Sequence, residues 1–217
     1  MRKVFIVVDA GVKSAVVEAM KAAIASFSPD VDALVCLGSE LDLNIVEPDV
    51  LLCPLTRNLP DNLQFLGKEL YRVCDDIFGT RQRVEKEFGI LTGEGNFWLP
   101  VVWTARGPLY AEVIGLGENS EDKDSFNYCQ PVHLPDVKRQ QVYGFSYRFL
   151  TSLDAIPGCY LMQFGFRDDQ FYFDQLWPFP GESAIVSLGI QTPDLFICHW
   201  QCLTNAPIYD IAILFQL

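Results

Sequence analysis

The sequence predicts an α+β fold on three observations: a β-branched apolar run at residues 4–8, a helix-spaced apolar pattern directly after it, and a change to strand and hairpin patterning beyond Gly95. With 50% hydrophobic residues and 16 phenylalanines in 217 residues, the chain has enough apolar material for a full core and is not a disordered one.

Lys3 to Val8 reads as a strand covered on both faces and ending at the Asp9-Ala10-Gly11 turn. Val12, Ala15, Val16, Ala19, Met20, Ala23, Ile24 and Phe27 then share one helix face, with Lys13, Glu18 and Lys21 off it, and Ser28-Pro29-Asp30 ends the helix. Strands at 33–37 and 50–53 complete a β-α-β start. The turn from Asp9 to Val12 lacks the G-x-G-x-x-G spacing that brings backbone amides onto a pyrophosphate, so dinucleotide binding is not expected there. Residues 62–88 read as one or two helices. Leu63, Leu66, Leu70, Val73, Cys74 and Ile77 face inward, and Arg81, Arg83, Glu85, Lys86 and Glu87 form a solvated charged face.

Gly93-Glu94-Gly95 marks an internal boundary, dividing an N-terminal β-α-β layer with its helical segment, residues 1–92, from a C-terminal part, 93–217. Strands at 97–104 and 110–116 flank Arg106-Gly107-Pro108 as a hairpin, and residues 118–124 form an acidic loop. A helix over 136–153 leads into two strands, 159–166 and 170–176, joined at Arg167-Asp168-Asp169. A helix near 194–203 and a strand near 208–215 finish the chain.

A formal charge of -12 opposes contact with nucleic-acid phosphate and with an anionic membrane surface, so neither is expected as a partner. No apolar run reaches the roughly 18 residues needed to span a bilayer, and the apolar stretch after Lys3 is too short for a signal peptide; a cytoplasmic location is expected. The seven cysteines are odd in number and lack CxxC spacing, as reduced packing residues do. Cys198, His199 and Cys202 lie within about one helical turn, which suits core packing better than a zinc site that needs four ligands. Neither His133 nor His199 stands in a nucleophile context.

Five segments occur in order: Val102-Trp103-Thr104-Ala105-Arg106, Gln130-Pro131, Gly158-Cys159-Tyr160-Leu161-Met162-Gln163-Phe164, Phe173-Asp174-Gln175-Leu176-Trp177-Pro178, and Phe196-Ile197-Cys198-His199 running on to Pro207-Ile208. Together they resemble the ATP-grasp superfamily, closest to its formate-dependent glycinamide ribonucleotide transformylase and carboxyaminoimidazole ribonucleotide synthetase branch. The resemblance implies an ATP-grasp-like core sheet flanked by helices, preceded by the β-α-β layer and lacking the family's lid domain between Gly89 and Phe97. It also implies that Gln163 and Gln175 stand where the family has two glutamates that hold magnesium ions against the ATP phosphates. The same alignment makes Arg106, Phe179, Glu182, Ser183 and His199 the remainder of an inherited cleft, with Phe179 at an arginine position.

From residue 149 onward the only Lys or Arg is Arg167, which leaves little to neutralise a phosphoryl group. These departures lead to the expectation of a non-catalytic ATP-grasp-like protein, a pseudoenzyme with no catalytic residue, metal or cofactor. It would act as an interaction or regulatory module with a protein partner or with itself as a homodimer. Two alternatives stay open. One is an ATP- and magnesium-dependent carboxylate-amine ligase or transferase with an altered site, in which Glu182, Glu112 or the acidic loop supplies metal ligands. The other is a small-molecule sensor using an aromatic cleft near Pro178 to Pro180.

Overall fold

The computed structural model describes residues 3–41, 50–117 and 127–214. The acidic loop at 118–124 and the last residue of the expected final strand, Phe215, lie outside the described residues.

The N-terminal layer is a parallel sheet. β1 (Lys3–Val8) lies between β2 (Asp32–Leu37) and β3 (Val50–Pro54), and α1 (Ser14–Phe27) makes the first crossover. Val4, Ile6 and Val8 are buried, and α1 packs over the layer with Val16, Met20, Ala23 and Ile24, so the helical spacing read from sequence is the buried face. Two helices follow, α2 (Lys68–Asp75) and α3 (Ile77–Phe88), separated at Asp76, whose side chain caps α3 by accepting from Gly79 N. Because α2 begins only at Lys68, Leu63 and Leu66 precede it and do not share its face; Leu63 is buried and Leu66 is 78% exposed.

The second sheet has seven strands: β4 (Leu91–Thr92), β5 (Phe97–Thr104), β6 (Gly107–Tyr110), β7 (Val113–Leu116), β8 (Tyr128–Val132), β9 (Gly158–Arg167) and β10 (Gln170–Trp177). Their order is β4-β10-β9-β5-β7-β8, with β6 also paired to β5. The expected strand over 110–116 is interrupted at Ala111 and Glu112, so β5 has separate partners in β6 and β7. α4 (Asp136–Ser152) packs Phe145 and Phe149 against Phe171 and Phe173 with ring centroids 5.2–5.6 Å apart. α5 (Leu195–Leu203) is capped by Asp194, whose Oδ1 accepts from Phe196 N and Ile197 N. The last expected strand shrinks to β12 (Ala212–Ile213), paired with β11 (Gln191–Thr192). One contiguous apolar cluster runs from Val4 in the first layer to Cys202 in α5. No helix among the described residues is long and apolar enough to cross a membrane.

The hairpin of β9 and β10 turns at Asp168 and Asp169, both at positive φ, as a tight hairpin turn requires. Arg167 pairs with Gln170 and Phe164 with Phe173, but beyond that point Gln175 pairs with Gln163, so Asp174 is an inserted residue. The bulge shifts the register by one. Without it Gln175 would face Met162 and project from the opposite side of the sheet from Gln163.

Asp174 itself turns into the protein and is 3% exposed. Arg81 of α3 reaches it through Nη2 to Oδ1 and Nε to the main-chain oxygen, and Gly95 N donates to Oδ2 at 2.7 Å. Arg81 is therefore not part of a solvated face: the one buried carboxylate on β10 draws it off the charged stripe to fasten α3 to the sheet. Replacing Arg81 by Ala leaves that carboxylate buried without its cation, and is expected to cost about 3–5 kcal/mol of unfolding free energy in urea titration. Arg83→Ala, removing an i,i+4 pair with Glu87 and an exposed hydrogen bond to Ser152 O, should cost less, about 1–2 kcal/mol.

Candidate functional site

The carboxyl ends of parallel strands are where open α/β layers place ligands. Here β1 is followed by Asp9 and the turn through Gly11, Val12 and Lys13, and β3 by Leu55, Thr56, Arg57 and Asn58. These two segments face β9 and β10 across a cleft of about 690 Å³, which Leu161, Gln163, Gln175 and Trp177 line from the sheet and Phe179, Glu182 and Ser183 from the segment after it. Trp98 of β5 completes an aromatic wall. The alternation of β9 places Leu161 and Gln163 toward this cleft and leaves Phe164 and Phe166 to the aromatic cluster on the other face.

The two glutamines thus line an open cleft, and they are wired together. Arg57 Nη1 donates to Gln175 Oε1 at 3.0 Å; Gln175 Nε2 donates to Gln163 Oε1 at 3.0 Å; Gln163 Nε2 donates to Gly95 O at 2.7 Å. Trp177 Nε1 also donates to Gln163 Oε1, at 3.3 Å. Arg57 stands over the Trp177 ring, its Cζ 4.0 Å from the centroid, and Nη1 also reaches Cys74 O at 3.0 Å. Burial pulls the Arg57 guanidinium below its ordinary value, opposed chiefly by the nearby Asp75, and it remains a cation at neutral pH. Asp9 is held by Thr56, whose Oγ1 donates to Asp9 Oδ2 at 2.7 Å and accepts from Asn58 N at 2.9 Å. Lys13 and Glu182 form an ion pair between the start of α1 and the segment after β10.

This donor set does not fit a magnesium ion at the glutamine pair. Gln163 Oε1 already accepts two hydrogen bonds, and Gln175 Oε1 accepts one from a guanidinium. A magnesium ion about 2.1 Å from Gln175 Oε1 would lie within about 5 Å of Arg57 Nη1, where the repulsion is roughly 6–7 kcal/mol at an effective dielectric of about 20. Neither amide brings a negative charge to offset it. Among the described residues no group of three or more His, Cys, Asp or Glu is placed to hold a metal ion.

Of the remaining residues assigned to the inherited cleft, Glu182 and Ser183 line it, and Phe179 closes one side, stacked on Tyr71 at 6.2 Å and edge-on to Trp177 at 6.1 Å. Two assignments are corrected. Arg106 sits at the turn between β5 and β6, with its guanidinium 6.0 Å from the Tyr209 ring, and does not line the cleft. His199 is buried under the start of β9, where Nδ1 accepts from Cys159 N at 3.1 Å; burial lowers its pKa to about 3, so it is a neutral core residue. Glu112 does not line the cleft either; it lies near Tyr143, whose hydroxyl is pushed up by burial first and by the Glu112 charge second.

Sequence reasoning looked for cations after residue 149 and missed those that the first layer delivers, Arg57 and Lys13. The signal available was their position, each directly following a strand or turn at the carboxyl edge of a parallel sheet.

No family model matches the chain. A formate-dependent phosphoribosylglycinamide formyltransferase from Psychromonas ingrahamii is 27% identical over 93 residues, which is 43% of this chain; the match spans under a quarter, 23%, of that relative's length. The structure is similar to glycinamide-RNase-transformylase T from Mycobacterium tuberculosis, with a TM-score of 0.74 at 16% identity over 98% of this chain and 82% of that one. It is also similar to an N5-carboxyaminoimidazole synthase from Aspergillus clavatus in complex with ADP and 5-aminoimidazole ribonucleotide, with a TM-score of 0.62 at 9% identity over 96% and 78%. The fold is that of the ATP-grasp proteins, as the sequence resemblance implied. The expectation of a non-enzyme is overturned by these comparisons, whose relative and structural neighbours are enzymes.

The network makes the two glutamines unequal. Gln163→Glu removes the only donor to Gly95 O among the described residues and should lower unfolding free energy by about 1–3 kcal/mol in urea titration. Gln175→Glu should cost less, because the new carboxylate gains a charge-assisted bond from Arg57.

Proposed function

We propose that this chain is an ATP-dependent ligase or transferase with an altered active site, joining an amine to a carboxylate-type donor in the cleft between the parallel layer and β9–β10. The observation that carries the reading is that Gln163 and Gln175, the two positions matching the ATP-grasp glutamates, line an open cleft of about 690 Å³ rather than a filled core. The similarity to ATP-grasp enzymes, one of them in complex with ADP, supports it.

The chain's own groups give the cleft a division of labour. Trp98 and Trp177 give the cleft an aromatic lining. Arg57 holds an anionic oxygen, since a guanidinium matches the planar oxygens of carboxylate or phosphate. Asp9, aligned by Thr56, faces the cleft as an acceptor for the amine. Glu182 keeps Lys13 turned toward the segment after β10, so the pair closes one wall of the cleft.

The test is ADP release from ATP by the full chain, offered a panel of small amines and carboxylates. Wild type should release ADP with a subset of the panel. Glu182→Ala should cut the rate at least tenfold, about 1.4 kcal/mol of transition-state stabilisation, without a matching loss of melting temperature. No release above blank with any member of the panel would overturn the reading.

A further inference from the structure

In this ATP-grasp-type cleft the positions expected to hold a divalent cation are amides locked to an arginine. We infer that Arg57 supplies the fixed positive charge at the Gln163–Gln175 pair, that the pair holds no divalent cation, and that a phosphate-bearing ligand binds beside it without a bridging metal. The ligand half of this rests on the proposed nucleotide-dependent activity; the metal half stands without it.

The hydrogen-bond chain runs one way, from the Arg57 guanidinium to Gln175, to Gln163 and to Gly95 O. An amide is required at both glutamine positions, because each must accept at one end and donate at the other, and a carboxylate cannot donate. Turning Gln163 Oε1 toward a metal would strand the Trp177 indole N–H and Gly95 O, and turning Gln175 Oε1 would break its bond from Arg57. The amides and the arginine are therefore one device: two uncharged side chains stand where two glutamates are expected, and they hold the guanidinium without neutralising it.

The seat leaves the guanidinium available. Its contacting partners, Gln175 Oε1, Cys74 O and the Trp177 ring, are all uncharged; no carboxylate among the described residues forms an ion pair with it, and Asp75 and Asp9 act on it only through space. Both hydrogen bonds use Nη1; Nη2 and Nε have no protein acceptor among the described residues. A desolvated guanidinium with open donors in a cleft pairs with phosphate oxygens in the way a metal would bridge them, with a single fixed charge instead of a movable double one. Phosphate is favoured over a simple carboxylate because it fills more of those donors.

Two titrations test this. In the first, manganese(II) alone is added to the protein and followed by water-proton relaxation. Wild type and Gln175→Ala should give the same curve, because the pair is not a ligand, and the Arg57→Met/Gln163→Glu/Gln175→Glu variant should gain a site at least tenfold tighter. Saturable binding in wild type that Gln175→Ala abolishes would overturn the metal half. Should the triple variant fail to fold, the comparison of wild type with Gln175→Ala decides alone. In the second, ADP is titrated calorimetrically with magnesium and with EDTA. Affinities should agree within about twofold, and Arg57→Met should weaken both at least tenfold. ADP binding that needs magnesium and ignores Arg57 overturns the inference and leaves the proposed activity standing. ADP binding in neither buffer overturns the ligand half and removes support from the proposed activity, while the manganese titration still decides the metal half.

Discussion

The backbone of Gly95 lies so close to β9 that a side chain there would run into the main chain of Phe164. That approach places one peptide segment between two polar systems. Its N–H goes to Asp174, which gathers Arg81 and fixes α3 to the sheet; its carbonyl goes to Gln163, which orients Gln175 and through it Arg57. The ion pair that fastens the helical layer and the chain of amides that shapes the cleft therefore meet at a single residue. A shift in this turn would be felt at both ends, since it would take a donor from the buried Asp174 carboxylate and the end point from the chain of amides.

The bulge at Asp174 is the second half of the same constraint. It turns the carboxylate inward toward Arg81 and Gly95, and by moving the register it sets Gln175 directly across from Gln163. One inserted residue thus creates both the buried acid and the facing amides. The structural and functional features of β10 were not added separately; they are two consequences of one backbone irregularity.

Much of this fold was legible in the sequence. β1, α1, α4, β9, β10 and α5 have strong periodicity or clear caps and turns, and the segment order carried the family resemblance because order survives when identity is low. What was not legible has a common cause: it depends on which turns meet in space. The register implied by the Arg167–Gln170 turn puts Gln175 opposite Met162, and nothing local announces the extra residue. Arg57 sits in an unremarkable loop and gains its role only because β3 ends facing β10, and Arg81 looked like one charge in a solvated stripe until its partner was known. β8 was hidden by Pro131 in its short span, and Arg106 and His199 were drawn toward the cleft by motif matching although one belongs to a surface turn and the other to the core. The departures from the family pattern that suggested an inactive protein read differently once the first layer is in place, because the cations missing after residue 149 arrive from before it.

The central claim is that Arg57, Gln175, Gln163 and Gly95 O form one continuous polar chain, so that residues not in contact are energetically joined. A double-mutant cycle on Arg57→Met and Gln163→Met, read by urea unfolding, measures this directly, since these two side chains are joined by hydrogen bonds through Gln175 and otherwise only by the Trp177 ring between them. A coupling of about 0.5–1.5 kcal/mol is expected between them, most of it lost when Gln175 is replaced by Met. Strict additivity in the presence of Gln175 would contradict it.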